Sequence, residues 1–214
     1  MPYRPTEKTA ARKAAVRERI VLAALDQLAE GGYASAGVQA IATRAGVATG
    51  TVYRHFASKG ELATEAFRRA AARELAVVDE VTAHDGRPAR ERIAAAAEAF
   101  ARRALAEPAR AYALLAEPVD PAVDAERLVF RRGYRDVFAR TLADGIDRGE
   151  LAPHNTETVA AALVGALGEA LVGPLSRDLD HHDALVATLV DFCLNALPGA
   201  QPAVRGAQNG ARAA

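Results

Sequence analysis

Tryptophan is absent from the chain, cysteine occurs once, and aromatic residues fill only 5% of its 214 positions. A single thiol, Cys193, excludes an intramolecular disulfide. Net charge is zero, which by itself suggests no polyanionic partner. The first residues are polar, with no apolar stretch before Val16, so no secretory signal is expected. No run approaches the roughly 18 apolar residues of a membrane span. These absences lead us to expect a cytoplasmic protein with no membrane association. Catalytic signals are missing as well. No glycine-rich loop follows a strand to cradle phosphate, and no Ser/His/Asp arrangement can be argued. His181-His182-Asp183 is the nearest approach to a metal site. Three neighbours in a row at a helix start do not close easily on one ion, so capping and solvent exposure are the expected roles. Cys193 lies on a mostly apolar helix, where packing is expected. We therefore expect no enzyme, no cofactor and no metal.

What is present is helix. Half the residues are hydrophobic, enough for a sizeable core. No segment alternates with period two and no repeat is visible, so the fold class expected is all-α. The most informative stretch is VQAIATRAGVATGTVYRHF, residues 38–56. Val38, Ile41, Ala42 and Ala45 mark one face of a short helix. Gly46 can turn the chain through a left-handed conformation at little cost. Val47 plugs the turn, and Thr49 to Phe56 reads as a second helix with Val52 and Phe56 inward at i and i+4. That is the layout of a helix-turn-helix whose second helix enters a DNA major groove. Arg54 and Lys59 can neutralise phosphates. Tyr53, Thr43, Thr49 and Thr51 can bond phosphate oxygens without titrating, and Gly50 permits close backbone approach. Gln39, early in the first helix, can reach a base or phosphate edge. With Arg44 and His55, these are the candidate DNA contacts.

Charge supports this division. Residues 1–60 hold nine Lys or Arg and four acids, a surplus of five that the rest of the chain cancels. A basic head on an acidic body suits a DNA-binding domain joined to something else.

At these residues the sequence resembles the TetR family of transcriptional regulators. The resemblance rests on Ile41-Ala42, Ala45-Gly46-Val47, Gly50-Thr51-Val52-Tyr53, His55-Phe56 and Ser58-Lys59-Gly60-Glu61-Leu62, and covers about residues 10 to 70. Two departures concern helix starts. Gly37 stands where the family usually has Thr or Ser, leaving Ser35 to cap. Ala48 stands where Ser is frequent, leaving Thr49. The resemblance implies a three-helix head joined to a C-terminal helical bundle that dimerises. The division expected is a flexible arm over 1–9, a DNA-binding domain over 10–60, a ligand-binding and dimerisation domain over 61–197, and a disordered tail over 198–214.

A first helix is expected from about Ala10 to Glu30, ended by Gly31-Gly32, with Tyr33 packed under the helix-turn-helix. Ser58 should cap a fourth helix reaching about Ala83. Further helices are expected at about 89–107, from Pro108, at 122–148, at 156–172 and at 183–197. Within them, the resemblance implies an apolar ligand cavity. Its candidate walls are Phe100, Tyr112, Phe130, Tyr134, Phe138 and Leu167, with Arg103, Glu117 and Arg131 as polar anchors. It also implies that the last two helices pair with their copies in a homodimer. The expected interface is Leu163, Gly165, Leu167, Gly168, Leu171, Leu185, Leu189 and Phe192, where small residues allow close backbone approach. The functional expectation is a repressor that binds a palindromic double-stranded operator and leaves it on binding a small, largely apolar inducer. An inducer-free regulator, an activator and a helical interaction adaptor are the alternatives.

Overall fold

The computed structural model describes residues 7–176 and 182–199. It consists of α1 (Glu7–Ser35), α2 (Val38–Arg44), α3 (Thr49–His55), α4 (Lys59–Thr82), α5 (Ala89–Ala106), α6 (Pro108–Leu115), α7 (Pro121–Asp147), α8 (Thr156–Leu175) and α9 (His182–Asn195). Among the described residues there is no strand; the one β feature is an isolated bridge between Leu151 and Gly199. The expected arm falls largely on residues 1–6, and the expected tail on 200–214. Both, with His181, lie outside the described residues. Two edges of these expectations change: Glu7 to Thr9 are already helical, and Gly199 pairs beside Leu151.

The helix ends follow local chemistry. Gly31 and Gly32 leave helical geometry, Gly32 with φ +70°, and one more turn then runs to Ser35. Gly46, φ +65°, makes the turn after α2. Neither α2 nor α3 has a side-chain cap: their first flanking residues are Gly37 and Ala48. Ser35 instead donates to the Gln27 and Gly32 carbonyls, and Thr49 lies inside α3. Ser58 does cap α4, accepting from the Glu61 amide at 3.1 Å, while the Glu61 carboxylate reaches back to the Ala57 amide at 2.6 Å. Asp120 and Asn155 cap α7 and α8.

Three apolar clusters organise the chain. The head core joins Ile20, Val21, Ala24 and Leu28 of α1 to Ile41, Val52, Phe56 and Leu62. The body core centres on α5, whose Ala89, Ile93, Ala96, Ala97 and Ala101 are fully buried. Alanines there let neighbours approach closely; a side chain at Gly145 of α7 would collide with the Ala89 methyl at 2.5 Å. A smaller cluster of Ala63, Phe67, Ala71 and Val123 lies between the two. α4 contributes to all three, so it connects head to body as one rigid rod. Ion pairs Arg69–Glu18 and Arg17–Glu65 fasten it to α1.

α8 corrects two expectations. By length and composition it is apolar enough to cross a membrane, contrary to the sequence reading. Of its residues, Ala160, Leu163, Leu167, Leu171 and Leu175 are buried. Leu163, Leu167 and Leu171, with Leu189 of α9, therefore belong to the protomer's own core and are not surface residues. Leu185 is partly buried against the same core. What α8 leaves outside includes Ala161, Ala162, Gly165 and Ala170 beside Glu157, Thr158, Glu169 and Gly173, with Gly168 half-exposed, and α9 adds Phe192 at 50% exposure. The leucines, spaced by four, face one way because each is about one turn from the next.

Candidate nucleic-acid interface and ligand cavity

The head spends its apolar residues inward. Ile41, Ala42 and Ala45 of the first short helix and its turn, and Val52 and Phe56 at the second, are buried to 7% exposure or less. What remains outside is polar: Gln39, Thr43 and Arg44 on α2, and Thr49, Tyr53 and Arg54 on α3 are exposed. Tyr53 is half exposed to solvent although it is large and aromatic. Thr51, His55 and Lys59 are half-buried. The Arg54 guanidinium donates to the Thr51 hydroxyl at 3.1 Å and has no acidic partner among the described residues. Arg44 is committed to Glu30 at 2.8 Å, and that hydrogen bond holds the Glu30 carboxyl below its usual range. The Thr43 hydroxyl is turned back onto the Gln39 carbonyl at 3.0 Å. The Lys59 ammonium lies 4.8 Å from the centre of the Tyr33 ring, a cation–π contact.

Basic residues of α1 extend this face, which the sequence reading missed. Burial pushes the His55 imidazole below its usual value, and the charges of Lys13, Arg17 and Arg54 add to the shift. The Arg17 guanidinium also lies 4.8 Å over the Phe56 ring. The i, i+4 spacing of Lys13 and Arg17 was the available signal.

In the body, a cavity opens between α4, α5, α6 and α7. Its empty space is about 610 Å³, counting the open mouth. Phe100, Arg103, Phe130, Arg131 and Tyr134 come together there as expected residues. Phe130 packs edge-on against Phe67 of α4 at 5.9 Å, and Phe100 against Tyr134 at 5.4 Å. Arg103 is bidentate to Glu74, at 2.6 and 2.9 Å, so its charge is already answered. Burial raises the Tyr134 hydroxyl well above the usual phenol range. Arg131 has no acidic partner among the described residues. Beyond the mouth the surface continues as a groove past Arg132, Val164 and Gly165.

Three expected walls and one expected polar anchor lie elsewhere. Phe138 and Leu167 are 1% and 2% exposed within the body core, because their helical phase turns them toward α5 rather than the cavity. Tyr112 packs against that core. Glu117 reaches the head, where its carboxylate accepts from the Tyr33 and Ala34 amides. Walls that the sequence reading missed include Phe67, Glu74, Leu114 and Arg127. Phe67 was visible as an apolar helical position, but nothing in one sequence says which neighbour it meets. Cys193 is buried in the core and its thiol is pushed up to about 11, so packing describes it. Among the described residues no group of three His, Cys, Asp or Glu could hold a metal ion.

Two family models match the chain. Residues 20–66 match that of bacterial regulatory proteins, tetR family, and residues 86–170 that of the tetracyclin repressor-like C-terminal domain. No curated protein sequence matches. Solved structures do. The fatty acid degradation regulator FadR from Bacillus halodurans is 22% identical over 83% of this chain and 97% of its own, with TM-score 0.68. FadR from Bacillus subtilis, solved in complex with stearoyl-CoA, is 21% identical over 84% and 98%, with TM-score 0.70. A TetR transcriptional regulator from Chloroflexus aurantiacus is 22% identical over 89% and 100%, with TM-score 0.71. At such identities the likeness is one of fold.

Proposed function

The chain belongs to the TetR family of bacterial regulatory proteins, and from that premise we propose that it is a homodimeric cytoplasmic repressor, released from a palindromic operator by a small, largely apolar ligand. The observation that carries the reading is the division of α2 and α3. Every large apolar side chain except Tyr53 turns inward, and the outer face presents hydroxyls, an amide and the unpaired cation Arg54. Such a surface suits phosphate oxygens and base edges. Two copies are required because a single short reading helix meets few base pairs, and a two-fold pair reads half-sites about 34 Å apart or a multiple of it. The open alanine and glycine face of α8 supports the pairing: a side chain added at Gly165 would meet nothing within 4 Å.

The cavity supports the inducer. Phe67, Ala71 and Glu74 on its wall belong to α4, whose first turns also help build the head core. A ligand that favours one tilt of α4 would favour one separation of the two heads. Fatty acyl thioesters are the first class to screen. Aromatic and aliphatic side chains share the walls with charged groups of which Arg103 and Glu74 answer each other, and Arg131, with Arg132 in the groove beyond the mouth, suits an anionic head group. The stearoyl-CoA bound by Bacillus subtilis FadR points to the same class.

The test starts from random duplex DNA selected on the full-length chain, followed by titration at several salt concentrations. The reading expects a partly palindromic winner and affinity that falls steeply with salt. Binding without sequence preference would overturn it. Acyl-CoAs are then titrated against the complex. Ligands that stabilise the body but leave operator affinity unchanged would favour an inducer-free regulator.

A further inference from the structure

The connection between α6 and α7 touches both the cavity and the head, and one acidic side chain does most of the touching. After Gly32 the amides of Tyr33 and Ala34 point the same way, and the Glu117 carboxylate takes both, at 2.7 and 3.0 Å. The fit is close: a Cβ at Gly32 would lie 2.7 Å from Glu117 Oε2. The next acid in the same loop, Asp120, lies against Gly60 at the start of α4, where an added Cβ would meet it at 3.1 Å. The loop therefore abuts the head at its entry to α2 and at its exit into α4.

The loop is held in turn by Arg127 of α7. Its guanidinium donates to the Glu117 carbonyl at 2.9 Å, and to the Leu114 and Ala113 carbonyls that end α6, at 3.0 and 3.1 Å. It also pairs with Asp124 at 2.6 Å. The same Arg127 lines the cavity. A cavity occupant that shifts this guanidinium must release the Glu117 carbonyl or drag it along, because four of its five N–H donors are already committed in one plane.

We propose that Glu117 is a positioning residue that transmits the state of the cavity to the head, with Arg127 as the link between them. This rests on the reading of the body as a ligand sensor. It adds a second route beside α4, entering the head at its other end. The route uses a carboxylate: each amide takes its own oxygen, whereas a glutamine would turn an NH2 toward one of them and lose the charge.

The experiment is amide hydrogen exchange on the full-length protein without ligand. In Arg127→Ala the Tyr33 and Ala34 amides should exchange at least about tenfold faster, the scale of a lost charge-assisted hydrogen bond. The Ile93 amide, deep in the body core, reports any global loosening and should not change. Arg131→Ala, which alters the same cavity without touching the loop, should leave all three amides as they were. Unchanged exchange in Arg127→Ala, or equal acceleration in Arg131→Ala, would overturn the link. A second arm uses stearoyl-CoA and the selected operator. Glu117→Gln should bind stearoyl-CoA as the wild type does, yet its operator affinity should no longer respond. A full response in Glu117→Gln would also overturn the proposal. If stearoyl-CoA does not bind, the exchange comparison decides alone. Absence of operator binding by the wild type would instead count against the regulator reading.

Discussion

His55 is half-buried at the end of α3, and its Nδ1 is buried with no hydrogen-bond partner. Burial, then the nearby cations Lys13, Arg17 and Arg54, lower its pKa in the folded head. Below about pH 6.5 the unfolded chain takes up a proton that the folded chain resists. Stability present at neutral pH is therefore lost as pH falls from about 6.5 toward the folded value. Calorimetric melting between pH 7.5 and 5.5 should show a smaller decline for His55→Gln than for the wild type; identical declines would contradict this assignment. Gly32 makes the second residue-scale prediction. Both Gly32 and Gly46 have positive φ, but an added Cβ at Gly46 meets nothing within 4 Å whereas one at Gly32 meets Glu117. Gly46→Ala carries only backbone strain, roughly 1–2 kcal/mol. Gly32→Ala should cost about 1–3 kcal/mol and the more of the two, since it also spoils the carboxylate contact. Urea denaturation of the two variants measures the difference, and equal losses would mean that Glu117 yields freely.

Among the helices, α8 is the one whose composition and burial disagree. It is apolar along most of its length, yet its outer residues are alanine, glycine and half-exposed valine, joined by Glu157, Thr158 and Glu169. Small residues on that side let a second helix approach backbone to backbone, while the other side packs on α5, α6 and α7. The interface expected from the sequence mixed these two faces. Gly165 separates them experimentally. Because nothing lies within 4 Å of its Cβ position, Gly165→Arg should leave the protomer's melting temperature essentially unchanged or slightly raised, since glycine is a poor helix former. Sedimentation should then show a monomer, and operator affinity should fall because two weak heads no longer act together. A variant that stays dimeric would place the interface elsewhere.

The whole molecule is a head and a body whose cores share α4. Ligand and DNA can influence one another only through a difference in affinity for two arrangements of that pair. The coupling should be reciprocal, of roughly 1–3 kcal/mol. Titrating an acyl-CoA inducer against the free protein and against the operator complex should give the same factor of weakening as titrating operator in its presence and absence. Operator affinity that keeps falling as ligand rises, with no levelling off at that factor, would show that the ligand displaces DNA from the head directly. The ion pairs Arg69–Glu18 and Arg17–Glu65 bind α1 to α4, so the head is expected to move with α4 as one piece.

Local sequence was sufficient for whatever depends on neighbours in the chain. The helix-turn-helix, the turn at Gly46, the cap at Ser58 and the break at Gly31-Gly32 are all fixed by spacing, by φ or by a hydroxyl within three residues. Their outward residues were legible for the same reason, since a helix that buries Val52 and Phe56 must expose Tyr53 and Arg54. The body was legible only as a set of helices. Nothing in the sequence distinguished Phe130, which faces the cavity, from Phe138, which fills the core, because both sit on apolar positions of α7 and differ only in which helix they meet. Likewise Glu117 looked available to a ligand until the chain brought Tyr33 and Ala34, more than eighty residues away in sequence, to its carboxylate. Helix phase is encoded every 3.6 residues, but the choice of partner for each face is settled when all nine helices of the described residues compete for the same interior.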